Sequence, residues 1–214
     1  MSKIILFQGD SITDCGRSRE NDVNVGTGYP LLVKSKLGFD APGEYDFYNR
    51  GISGNRIVDV YARIKRDLIN LKPDYMSLLI GVNDVWHEVH ESPNGVSAEK
   101  FEKIYDMLIS EVLEALPDIK IMIMEPFVLE GSATVANEQF PFRWDYFRTE
   151  VPLRADAAKR IAQKHSLSFI PLQEKLNEAL KLAPASYWLA DGVHPTAMGH
   201  QLIMNEWFKA FNNL

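Results

Sequence analysis

Short apolar runs alternate along this chain with longer segments whose apolar positions recur at helical spacing. Five runs, 4–7, 46–49, 75–80, 119–124 and 168–171, read as buried strands. Between the second and third, Ile57, Val60, Tyr61, Ile64, Leu68 and Leu71 mark one face of a single amphipathic helix stopped by Lys72-Pro73. Phe101, Ile104, Leu108 and Val112 mark another, which ends before Pro117. Further helices are expected over 29–37, 144–165, 173–182 and 197–211. This alternation argues for a parallel sheet covered on both faces and joined by right-handed crossovers. No repeat, low-complexity tract or linker interrupts it, so residues 1–214 are expected to form one domain.

In such sheets ligands bind beyond the carboxyl ends of the strands. The polar turns of this chain follow its strands: Gly9-Asp10-Ser11 after the first, Gly51-Ile52-Ser53-Gly54-Asn55 after the second, Gly81-Val82-Asn83-Asp84 after the third. Asp191 and His194 precede the last helix, so all of these should converge on one edge. Residues 127–142 read as a long loop, and a loop of that size usually covers a site.

With 46% hydrophobic and 24% charged residues, the composition is that of an ordinary globular protein. A net charge of −6 argues against a nucleic-acid partner. The one basic cluster, Arg63-Ile64-Lys65-Arg66, reads as a solvated helix face. Cys15 is the single cysteine, so no intrachain disulfide can form; it reads as a small buried packing residue. No run reaches the ~18 apolar residues of a membrane span, and the start lacks a signal-peptide pattern, so no membrane partner and a cytoplasmic location are expected.

Ser11, His194 and Asp191 are the parts of a nucleophilic relay: a hydroxyl, a base to take its proton, and an acid to fix the imidazole. Pro195 pushes His194 towards an extended conformation, which favours a short turn carrying both side chains. The N–H groups of Ser11 and Gly54 and the side-chain amide of Asn83 are candidates for an oxyanion hole. An amide donates there without competing as a base.

The four blocks Gly9-Asp10-Ser11, Gly54 within 49–55, Gly81-Val82-Asn83-Asp84 and Asp191-Gly192-Val193-His194 stand in order along nearly the whole chain. In this the sequence resembles the SGNH (GDSL-type) hydrolases. The resemblance implies a three-layer α/β/α sandwich with a five-stranded parallel, flavodoxin-like sheet. It also implies Ser11, Gly54, Asn83 and His194 as the named residues, Asp191 as the third triad member, and no metal or cofactor. The longer matches around 9–17, 26–29, 83–86 and 194–200 resemble bacterial carbohydrate acetyl esterases of the acetylxylan esterase type. The expected function is hydrolysis of small acyl esters, acetyl above all, on carbohydrate hydroxyls such as those of acetylated xylo-oligosaccharides, through an acyl-enzyme. Alternatives are a lysophospholipase or thioesterase on the same scaffold, and a non-enzymatic carbohydrate-binding domain. The expected partner is a small-molecule or oligosaccharide ester; assembly into a homo-oligomer is allowed by the sequence, which identifies no interface.

Asp10, Trp86 and Trp188 are candidates for substrate contact, the tryptophans because aromatic faces suit pyranose rings. Asp10, Asp14 and Asp84 also read as turn-fixing carboxylates that accept backbone N–H bonds. His87-Glu88-Val89-His90 is one residue short of a zinc-protease spacing and is not taken as a metal site. Glu125 either lines the pocket or supports a neighbour.

Overall fold

The structure is a computed structural model, and it describes residues 2–214. In chain order its elements are β1 (Lys3–Gly9), α1 (Ser11–Asp14), α2 (Tyr29–Asp40), β2 (Tyr45–Asn49), α3 (Ile57–Ala62), α4 (Ile64–Asp67), a 3₁₀ turn (Ile69–Leu71), β3 (Tyr75–Leu79), α5 (Val82–Trp86), α6 (Ala98–Ala115), β4 (Lys120–Met124), α7 (Arg143–Lys164), β5 (Ser168–Ile170), α8 (Gln173–Ala179), α9 (Ala185–Trp188) and α10 (Ala197–Phe211). All strand pairings are parallel, and the order across the sheet is β2-β1-β3-β4-β5. That is the order of flavodoxin-like doubly wound sheets. The expected three-layer α/β/α sandwich is therefore present.

Side chains alternate along each strand, and both faces are buried. Ile5 and Phe7 of β1, with Met122 and Met124 of β4, pack into one apolar layer with Tyr29 and Val33 of α2 and Ile203 and Trp207 of α10. Leu6, Met76, Leu78, Ile121 and Ile123 face the opposite layer, filled by Val60 of α3, Ile64 of α4, Phe101 and Leu108 of α6, and Ala158 and Ile161 of α7. Alternating burial of this kind explains why the strands read as nearly continuous apolar runs. Hydroxyl caps start two of the long helices: Ser97 accepts from Lys100 N–H before α6, and Thr196 from Gly199 N–H before α10.

Three expectations change. The helix predicted over 57–71 is broken into α3, α4 and the 3₁₀ turn, because Arg63 leaves the helical region at φ −117° and ψ 8°. Its side chain is 9% exposed and turns inward, whereas Lys65 and Arg66 are exposed, so the basic cluster is only in part a solvated face. Cys15 is half-buried, not core, and sits at the end of α1 in the left-handed conformation, φ 39°. No helix among the described residues is long and apolar enough to cross a membrane.

Candidate active site

The chain crosses from one side of the sheet to the other between β1 and β3, and the turns that follow those strands flank the crevice where such sheets bind ligands. At Gly9 the two strands come so close that a Cβ would lie 2.3 Å from the Leu79 carbonyl oxygen, so only glycine fits. Asp10 then caps α1 by accepting the Ile12 N–H at 3.0 Å. This leaves Ser11 as the first helical residue, at the mouth of the sheet.

Ser11 Oγ lies 3.0 Å from His194 Nε2, and His194 Nδ1 lies 2.7 Å from Asp191 Oδ2. A carboxylate only accepts, so the proton of the neutral ring sits on Nδ1 and the Nε2 lone pair faces the Ser11 hydroxyl. Asp191 Oδ1 accepts the N–H groups of Val193 at 2.9 Å and His194 at 2.8 Å, so acid and imidazole share one short turn. Burial alone would raise the Asp191 carboxyl; the hydrogen bonds from His194 and Val193 outweigh it and hold the group below its usual range. Asp191 is thus ionised whenever His194 works as a base.

Residues 127–135 pack behind this turn. Leu129 N–H donates to Gly192 O and Ala133 N–H to Asp191 O, each at 2.9 Å. The long loop expected to cover the site therefore buttresses it, and none of residues 127–142 lines the cleft in front of Ser11. Glu125 likewise supports: its Oε2 accepts the N–H groups of Leu172 and Gln173 at the start of α8.

Three candidate donors on residues that line the cleft lack a full set of partners. Neither Ser11 N–H nor Gly54 N–H donates to any group among the described residues, and Asn83 Nδ2 uses one hydrogen on Asn55 O at 3.1 Å. Gly54 holds φ +80°, a conformation that favours glycine. Buried Asp84 accepts Ile57 N–H with both oxygens, pinning the end of the Gly54 turn to α5. Burial pushes its carboxyl well above the ordinary value. Asp14 accepts Ser53 N–H at 3.0 Å. Asp10, Asp14 and Asp84 thus all fix turns.

Ser11, Gly54, Asn83 and His194 line one cleft of about 560 Å³. Trp86 forms a wall of it, with its ring 5.9 Å from that of His194 and braced by Phe147. Two other candidates do not reach it. Asp10 is 1% exposed beneath the turn, where burial pushes its carboxyl up to about 7, because it faces into the fold to cap α1. Trp188 points away with Tyr187 into a separate groove against α8 and α10, because α9 ends before the chain turns back to Asp191.

The rest of the cleft joins Ser53 of the expected turn, and His87 and His90 of the motif set aside as a metal site, to two residues that were not anticipated, Ser92 and Asn94. Ser53, His87, His90, Ser92 and Asn94 supply its polar rim. Segment 87–94 leaves α5 and closes on it: His87 N–H donates to Asn83 O, Asn94 N–H to His87 O, and Val96 N–H to Asp84 O. Burial, then the positive charge of Arg56, lowers the His87 pKa. For Ser92 and Asn94 the forewarning in sequence was a polar run broken by Pro93-Asn94-Gly95. No third His, Cys, Asp or Glu joins His87 and His90 in a metal-ligating cluster among the described residues.

Known proteins share this architecture. An acetylxylan esterase of Geobacillus stearothermophilus is 38% identical over 208 residues, covering 93% of this chain and 89% of the relative. The crystal structure of Axe2, an acetylxylan esterase from the same organism, superposes with a TM-score of 0.82 at 34% identity over 97% of this chain and 93% of that one. LAE5, an alpha/beta hydrolase enzyme from the metagenome of Lake Arreo in Spain, superposes with a TM-score of 0.85 at 28% identity over 99% and 97%. The family described as GDSL-like lipase/acylhydrolase matches residues 7–202. Turn for turn and over nearly its full length, then, the chain is a member of the GDSL-like lipase/acylhydrolase family and a carboxylic ester hydrolase.

Proposed function

We propose that the chain, acting as one hydrolase domain, removes small acyl groups, acetyl above all, from carbohydrate hydroxyls such as those of acetylated xylo-oligosaccharides. The observation that carries this reading is the Ser11–His194–Asp191 chain of hydrogen bonds in one cleft with two unclaimed backbone N–H groups, of Ser11 and Gly54, and the second hydrogen of Asn83 Nδ2. Ser11 Oγ attacks the ester carbonyl carbon while His194 Nε2 takes its proton. The tetrahedral oxyanion is held by Ser11 N–H, Gly54 N–H and Asn83 Nδ2, each worth about 3–4 kcal/mol by analogy with other holes. Collapse breaks the bond to the sugar oxygen, which takes the proton back from His194 and leaves acyl-Ser11. Water, deprotonated by His194, then attacks the acyl-enzyme and frees the carboxylic acid and Ser11.

Trp86, with its ring 5.9 Å from that of His194 and braced by Phe147, offers a fixed apolar face beside the catalytic base, which suits a small acyl group. The hydroxyls, imidazoles and amide of Ser53, His87, His90, Ser92 and Asn94 support a polyhydroxylated leaving group, because they can hydrogen-bond to it. The curated relative named an acetylxylan esterase supports the same substrate class. The test is acetate release from a panel of acetylated oligosaccharides, with acetyl and decanoyl esters compared at equal concentration and Ser11→Ala run alongside. Preference for acetyl xylo-oligosaccharide and loss of activity by on the order of 10⁴-fold or more in Ser11→Ala are expected. Faster decanoyl hydrolysis would remove the substrate assignment, and near-normal turnover by Ser11→Ala the nucleophile.

A further inference from the structure

The break between α3 and α4 has a local cause. Arg63 there abandons helical geometry and sends its guanidinium beneath the turns of the site. Its Nη2 donates to Gly9 O at 3.3 Å, its Nη1 to Arg50 O at 2.8 Å, and its Nε to Asn55 Oδ1 at 2.8 Å. Asp67, buried to the same degree, accepts from Nη1 at 2.9 Å and balances the charge. Two of these contacts, Gly9 and Asn55, lie within two residues of a candidate oxyanion donor, and Arg50 opens the turn that carries Gly54. Gly9 opens the turn that ends in Ser11. Asn55 follows Gly54, and its carbonyl receives the Nδ2 of Asn83. Arg63 does not line the cleft itself.

We propose that Arg63 is the positioning residue that sets the spacing of all three oxyanion donors, an inference that rests on reading Ser11 N–H, Gly54 N–H and Asn83 Nδ2 as the oxyanion hole. A guanidinium suits the task because its N–H groups diverge in one rigid plane, so the distances between the groups it holds are fixed together. An ammonium is a single point and cannot grip three separate turns. Donors that are preorganised stabilise the oxyanion without reorganising during the reaction, and a shift of about 1 Å costs on the order of 10²-fold.

The experiment compares Arg63→Lys, Asn55→Ala and the double variant. Active sites are counted by labelling with a 4-nitrophenyl alkylphosphonate, whose phosphoryl oxygen uses the same donors, and kcat is expressed per counted site. Each single variant is expected to lose about 10- to 100-fold in kcat per site with KM for an acetyl ester within about threefold, and phosphonylation should slow by the same factor. The double variant should fall no further than the worse single one, because both cut one chain of contacts. Fewer sites at unchanged kcat per site, or losses that multiply in the double variant, would show a merely structural role and overturn the proposal. If Arg63→Lys does not fold, Asn55→Ala decides alone, since it leaves the buried Arg63–Asp67 pair intact, and unchanged kcat there overturns it. Absence of phosphonate on Ser11 of the parent chain by mass spectrometry would overturn the underlying reading and this inference together. Label on Ser11 with unchanged kcat in the variants overturns this inference alone.

Discussion

Ser11 and Cys15 stand at the two ends of α1, and each faces an imidazole supplied by the C-terminal part of the chain. His194 lies 3.0 Å from the hydroxyl, and His200 lies 3.5 Å from the thiol. The pairs differ at the far nitrogen of the ring. His194 Nδ1 meets the Asp191 carboxylate, which needs a proton from it, so Nε2 is left free to accept one from Ser11. His200 Nδ1 instead accepts the N–H of Tyr29 at 3.1 Å. A backbone N–H only donates, so the neutral ring of His200 carries its hydrogen on Nε2 and directs it at the sulfur. Burial, followed by the charge of His194, lowers the His200 pKa to about 4, so no second proton binds near neutrality. A nucleophile beside an imidazole is therefore not yet a catalytic pair; the group behind the ring decides which way the proton can move.

The comparison breaks most severely if the group behind His194 is made to resemble the one behind His200. Asp191→Asn places an amide there, whose N–H can donate to Nδ1 and reverse the tautomer. Ester hydrolysis near pH 7 is expected to fall by about 10⁴-fold with the fold intact by circular dichroism. A loss below about tenfold would mean that Asp191 does not fix the ring.

A smaller effect concerns pH. The His200 pKa is about 4 folded and about 6.5 unfolded, so between those values the unfolded chain takes up the proton first. Its contribution to stability is complete above pH 6.5 and is lost as the pH falls towards 4, by at most about 1.4 kcal/mol per pH unit. Asp10, pushed up to about 7, acts with the opposite sign, but it is common to parent and variant and cancels between them. His200→Asn keeps an acceptor for Tyr29 N–H and does not titrate. Urea unfolding at pH 7, 6 and 5 should show the variant losing less stability on acidification than the parent. Parallel losses would contradict a neutral, buried His200. The smallest effect expected is in turnover: Cys15→Ala should leave kcat within about twofold, because a thiol facing a donor has no base to activate it. A large loss in ester hydrolysis would place Cys15 in the reaction after all.

Much of the site was legible in sequence because its residues sit where strands end. Apolar runs located β1, β2 and β3, and Ser11, Gly54 and Asn83 follow them within a few residues. His194 was legible beside Asp191 because Gly192 and Pro195 force a turn. What escaped depends on which way a side chain points once the backbone changes direction. The apolar positions of 57–71 remain on one face across the break at Arg63, so periodicity could not reveal it. Trp188 lies three residues from Asp191 and still faces another groove. Asp10 adjoins Ser11 and still points into the interior. Ser92 and Asn94 carry no periodic signal at all, since they lie on the exposed tip of an excursion whose one core anchor is Val89.

That excursion departs from and rejoins the same short helix, with His87 N–H bound to Asn83 O and Val96 N–H to Asp84 O. Its two ends are thus stapled before the tip begins. Lengthening the tip would cost little more than loop-closure entropy, about 0.6 kcal/mol for each doubling. The hydrolytic machinery below would keep its geometry while the lip changed, so long as buried Val89 stays in place, and the exposed tip beyond it, residues 90–93, is where insertions would act on the cleft rather than on the relay.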